Sequence, residues 1–151
     1  MGDVTQAPSD EAMSAIVDRI NTGDKYDMDV AAEYTDSIVD VLEEIAGLRI
    51  DVVCESEEQL TETLDVEDRS QCMVRVFVRQ KVDDTDKEKI GALKLLVRQL
   101  WQRLNDYETD DERVKVWECD IDPKEVPIKA ILQQSRLFVA TLLLRIEVEP
   151  S

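Results

Sequence analysis

The side chains here that can do chemistry are carboxylates, guanidiniums, amines and three thiols, because the chain has no histidine. That removes the commonest general base and the commonest metal ligand. The thiols are Cys54, Cys72 and Cys119. An odd, sparse set with no CxxC spacing argues for buried, reduced thiols rather than a disulfide framework or a zinc site. Two acidic runs, "DDTDKE" at 83–88 and "DIDP" at 120–123, bring carboxylates close together. Neither has the turn glycine or the distal bidentate Glu of a calcium loop, so they read as solvated turn charges. Four glycines are too few for a phosphate cradle, and there is no GxGxxG, P-loop or GxSxG. Carboxylates alone can serve as an acid and base pair, but no spacing here recommends one. The expectation is a protein that is not an enzyme, with no catalytic, cofactor-binding or metal-binding residue.

The most informative spacing is cationic. In "MVRVFVRQKV", 73–82, Val74, Val76 and Val78 fall on one side of an extended strand. Arg75, Arg79 and Lys81 fall on the other, with Phe77 among them. Yet the chain carries 35 acidic residues against 18 basic ones, a formal charge of −17. Two readings of this stripe stay open. One is cross-strand pairing with acidic neighbours on a solvated face, where each pair contributes about 0.2–1 kcal/mol. The other is a protein interface, which makes Arg75, Phe77, Arg79 and Lys81 the candidate subunit or partner contact.

Positioning such a stripe requires a folded sheet, and the totals allow one. A chain of 151 residues, 43% of them hydrophobic, is long enough for one domain with one core. The acidity predicts repulsion from nucleic-acid phosphates and from anionic membranes. No apolar run approaches the roughly 18–20 residues that cross a bilayer, so no membrane is expected. "MGDVTQAPSDE" lacks the basic and apolar regions of a signal peptide. It also lacks a Ser or Thr at the sixth position, Gln6, that a myristoylation start would carry.

Residues 1–9 read as a flexible leader, and 10–149 as a single domain. Asp10 is suited to cap a helix, followed by Met13, Ile16, Val17 and Ile20 at helical spacing. "YDMDVAAEY", 26–34, alternates as a half-buried strand, and "SIVDVLEEIAGL" reads as a short helix ending near Gly47. "RIDVVCE", 49–55, is a strand with Ile50, Val52 and Cys54 on one side. Residues 56–70 are polar and aperiodic, and read as a loop. The stripe strand, 71–82, comes next. Ile90, Leu93, Leu96, Val97, Leu100, Trp101 and Leu104 then mark an amphipathic helix. Its leucines read as core rather than a coiled-coil seam, since they span only about two heptads. "RVKVWECDI", 113–121, is a strand, and Pro123 and Pro127 break the segment after it into at most one helical turn. A long strand, 136–148, closes the chain, with Phe138, Ala140, Leu142, Leu144, Ile146 and Val148 on its core face. Short loops between neighbouring strands imply antiparallel pairing. The predicted architecture is an α+β two-layer sandwich, a mainly antiparallel sheet with helices packed on one face.

With these elements in order, "AGLRIDVVCESEE…DRSQCMVRVFVRQKV" resembles a group of small tail proteins of bacteriophages and prophages. In that group a strand ending in a "VVP"-like turn leads through a loop to a strand of the "YxIDIxVQKR" type. Here "MVRVFVRQKV" fills the second place. The group's long helix is matched by 87–105. Its "ENDPIYSPEHLDELRQFTSVLTLTFRV"-type segment is echoed by "ECDIDPKEVPIKAILQQSRLFVATLLLRIEV", 118–148. The likeness covers about residues 10–149 in element order. It departs at Cys54, where a proline is common, and in its greater acidity. The group is similar to tail-terminator or tail-completion proteins of long-tailed phages. The resemblance implies a structural virion protein at the head-proximal end of the tail tube. It further implies a homo-oligomeric, hexameric ring touching tube and neck or connector proteins, with DNA passing through its lumen unbound. Assembly would take place in the host bacterial cytoplasm. The resemblance transfers no catalytic residues. Two other classes stay open: an acidic immunity- or decoy-type protein that binds a basic enzyme, and an enzyme that uses carboxylates alone.

Overall fold

The computed structural model describes residues 7–22, 26, 28–35, 47–60 and 69–149. The first helix, α1 (Pro8–Asn21), starts two residues before Asp10, because Pro8 sits at a first-turn position where its missing N–H is not needed. Asp10 is therefore in the first turn rather than at the cap, and the expected leader gives way at Pro8. α1 buries Ala12, Met13, Ile16 and Ile20.

Next comes a short strand, β1 (Ala32–Tyr34). The expected strand at 26–34 is thus confined to its last three residues. Asn21 explains the local order: its side chain both donates to the Ala32 carbonyl, at 3.0 Å, and accepts from the Ala32 N–H, at 2.7 Å. The short helix expected at 37–48 falls largely outside the described residues. β2 (Arg49–Leu60) and β3 (Arg69–Lys81) are longer than their apolar cores. Residues 56–60 and 69–70, expected as loop, continue the two strands past a bulge between Cys54 and Ser56.

α2 (Lys87–Leu104) is started by the Asp86 carboxylate, which accepts from the Lys89 N–H at 3.1 Å. Ile90, Leu93, Leu96, Val97, Leu100 and Leu104 are buried as the period predicts. α2 and α1 meet at their C-terminal ends, where Arg19 donates to the Arg103 carbonyl and Arg103 to the Arg19 carbonyl, each at 3.0 Å. β4 (Val114–Ile121), α3 (Lys129–Ser135) and β5 (Leu137–Val148) complete the chain. α3 is two turns long, longer than the single turn expected between the prolines and β5.

The five strands form one open sheet in the order β1-β2-β3-β5-β4. β1 runs parallel to β2, and every other pair is antiparallel. The parallel pair is the exception within the mainly antiparallel sheet that was expected. Residues 35–48 connect the two strands, which is the length a parallel crossover needs. α2 likewise links β3 to β4, and β5 returns between them. The sheet is therefore mixed but mostly antiparallel, and the fold is α+β with helices packed on the sheet. Val74, Val76, Val78, Leu142 and Leu144, all fully buried, meet α1 and α2 in the main core.

The opposite sheet face is not bare. α3 lies there, with Ile128 and Ile131 packed on Leu137 and Val139. α1 and α2 share one face as expected, and α3 adds a helix on the other.

One glycine invites a test. Gly91 sits inside α2 with open space where a Cβ would be. Glycine in a helix interior is less stable than alanine by roughly 0.5–1 kcal/mol. Gly91→Ala is expected to stabilise the monomer by about that amount, read as a higher denaturant midpoint with unchanged slope.

Candidate functional site

The stripe face is built by alternation in three adjacent strands. The register aligns Asp51, Phe77 and Thr141 in one row, and Val53, Arg75 and Leu143 in the next. Core-facing valines on β3 force the alternate residues onto this face. β2 does the same, since burying Ile50 and Val52 turns Asp51 toward the stripe.

Two of the three stripe cations are held by carboxylates of the same chain. Arg79 is buried, 4% exposed, and its Nη2 lies 2.8 Å from Asp51 Oδ2, with Asp51 itself 2% exposed. Arg49 adds a second donor to Asp51, Nε to Oδ2 at 2.9 Å. Arg75 Nε donates to Glu55 Oε1 at 2.6 Å, and its Nη1 donates to the Asp122 carbonyl at 2.6 Å. The Glu55 hydrogen bond, more than any other contact, raises the Arg75 pKa above its ordinary value. Further along the face, Arg145 lies 3.7 Å from Glu118. Lys81 is exposed and Phe77 is half-buried.

So the structure places Arg75, Phe77, Arg79 and Lys81 on one face, as alternation predicts, but gives them unequal surroundings. Arg79 is enclosed by its own chain, and the charge of Arg75 is met by Glu55. Of the three cations, Lys81 alone stands exposed.

Sequence reasoning missed the partners Asp51, Glu55 and Asp122. The signal for two of them was present: "RIDVVCE" puts Asp51 and Glu55 on the side away from Ile50 and Val52. Only the pairing of that strand with the stripe was unknown.

Between α3 and the sheet this face holds a groove of about 500 Å³. Phe77, Leu137 and Val139 line it, with Ile128 and Ile131 on the α3 side; Glu55, Arg75, Arg79, Ser135 and Thr141 are its polar residues. The Thr141 hydroxyl donates to the Asp122 carbonyl, which also receives Arg75. The groove's charged groups are thus engaged within the subunit, Arg75 with Glu55 and Arg79 with Asp51. No thiol lines it. Cys72 and Cys119 are buried in the main core, where desolvation pushes each thiol up to about 12. Cys54 packs against the same core and donates to the Ser56 carbonyl at 3.3 Å; burial raises its pKa too. A thiol held protonated is a poor nucleophile and a poor metal ligand. Among the described residues, no three His, Cys, Asp or Glu side chains converge to hold a metal ion. None of the described helices is long and apolar enough to cross a membrane.

No protein-family model matches the chain, and no curated protein is similar to it.

Proposed function

We propose that this is a structural virion protein, a tail terminator or tail-completion protein. It forms a homo-oligomeric, hexameric ring at the head-proximal end of a phage tail tube and joins the tube to the neck. The observation that supports this reading most is how the resembling segments fold. "RIDVVCE" lies in β2, "MVRVFVRQKV" supplies most of β3, 87–105 is α2 and its end, and 118–148 runs through the end of β4, α3 and β5. The β-strands among them are immediate neighbours, in the order β2-β3-β5-β4. The quoted segments therefore fall on neighbouring strands and their helices rather than on scattered pieces.

The charge suits the role. A ring that passes genome DNA must not hold it, and proteins hold DNA by neutralising phosphates with Lys and Arg. A ring of subunits carrying −17 each presents DNA with a repulsive lumen. The test is localisation in the particle. Labelled antibody against the protein should bind phage tails at the junction of tube and neck. Label along the tube, at the distal tip, or absent from particles sinks the proposal.

A further inference from the structure

The acidic chain must still bring its copies together, and the stripe arginines are engaged within the subunit. Further exposed cations lie on α2. α2 turns its leucines to the core, and its outer face carries Lys87, Lys94 and Arg98, all exposed, around Gly91 and Leu95. The spacing 87, 91, 94, 98 keeps these on one side of the helix. Among the described residues no carboxylate pairs with any of these three cations. Arg98 instead places its guanidinium 5.8 Å from the centre of the Trp101 ring. Leu95 is 46% exposed, one of the few large apolar side chains left in solvent. Among the described residues nothing calls for a glycine at 91, since a Cβ there would meet nothing within 4 Å. A helix interior that keeps a glycine facing open space suits close approach by another surface.

At the other end of α2 the charge reverses. The turn that leads into β4 exposes Asp106, Glu108, Asp110, Asp111 and Glu112. Its shape is fixed from within: Asp111 Oδ1 accepts from the Thr109 hydroxyl at 2.6 Å and from the Arg113 N–H at 3.1 Å. The hydrogen bond from Thr109, with that from the Arg113 N–H, holds the Asp111 carboxyl below the usual carboxylate range. Arg113, the nearest cation in sequence, points instead to Glu11, Nη1 to Oε1 at 2.9 Å. The basic face and the acidic turn are thus carried on one helix about 27 Å long, 18 residues at 1.5 Å each. Two different, complementary patches on one subunit suit a head-to-tail contact, the kind that gives a ring when its rotation closes.

We infer that the acidic turn 106–112 of one copy of this chain docks on the outer face of α2 of the next, over Lys87, Gly91, Lys94, Leu95 and Arg98. This deepens the ring reading and rests on it. The cations meet the turn's carboxylates, Leu95 supplies the apolar contact, and Gly91 lets the turn approach the helix backbone. The contact is exposed and charged, so it weakens at 1 M salt, where screening reaches about 3 Å.

A charge swap tests it. One full-length variant carries Lys94→Glu with Arg98→Glu, and the other Glu108→Lys, Asp110→Lys and Glu112→Lys, which turns the net charge of the turn positive while keeping Asp111. All five positions are exposed, and circular dichroism should show both variants folded. Sedimentation velocity should find each variant alone weakened in association by about tenfold or more, because like charges now face each other. An equimolar mixture should recover assembly, since every turn again meets a helix face of opposite sign. If either variant associates like the wild type, this interface is wrong while the ring reading stands. Variants that are monomeric alone and stay so when mixed also overturn it. A wild-type chain that remains monomeric throughout overturns the ring reading, and this contact with it.

Discussion

Asp51→Ala is expected to destabilise the protein by about 3–5 kcal/mol, the usual effect of removing one member of a buried ion pair. Asp51 and Arg79 are 2% and 4% exposed and 2.8 Å apart. Deleting the carboxylate removes the charge that lies 2.8 Å from the buried guanidinium. The attraction that Asp51 contributed against desolvation is lost, while the desolvation remains. Asp51→Asn keeps the shape and part of the hydrogen bonding, so its loss should be smaller. Denaturant melts of both variants decide the matter. A change under about 0.5 kcal/mol for Asp51→Ala would mean that the pair behaves as an exposed one.

Leu100→Ala should destabilise the protein by roughly 2–5 kcal/mol, the range for buried large-to-small changes. Leu100 is fully buried in the core between α2 and the sheet. Leu93, Leu96 and Leu104 surround the same seam and cannot collapse into the vacated volume without leaving their own places. Leu95→Ala, one residue off the seam and 46% exposed, is the control. It should change monomer stability by no more than about 0.5 kcal/mol. Equal losses at Leu95 and Leu100 would show that α2 is rotated relative to the sheet.

Where the chain buries one face and wets the other, the sequence was readable. The period of two in 73–82 and 137–148, and the period of 3.6 in 90–104, each reflect a single apolar face, and β3, β5 and α2 follow them. Residues 56–60, "SEEQL", did not read as strand because Ser56, Glu57, Glu58 and Gln59 are all exposed although they pair with 70–73. With neither face required to be apolar, the alternation disappears. The parallel pairing of β1 with β2 was not legible either. Three residues carry too little pattern to fix an orientation. α3 was underestimated because it is short, buries no residue fully, and comes after two prolines.

The candidate site divides the same way. Alternation put Arg75, Phe77, Arg79 and Lys81 on one face, but it cannot say which strand lies alongside. Only the β2–β3 register brings Asp51 and Glu55 to the arginines and shows that their charges are met inside the subunit. The basic face of α2 was present in the sequence as Lys87, Lys94 and Arg98 opposite the leucines. It becomes conspicuous once the stripe cations are accounted for.

The central claim is that copies of this chain close into a ring. Native mass spectrometry of the purified protein over a range of concentrations, paired with negative-stain images of the same samples, tests it most directly. The account predicts a single closed species at high concentration, six times the 17.3 kDa chain mass and seen as rings with a central opening. A chain that stays at 17.3 kDa at every concentration, or one that forms open filaments of indefinite length, would contradict it.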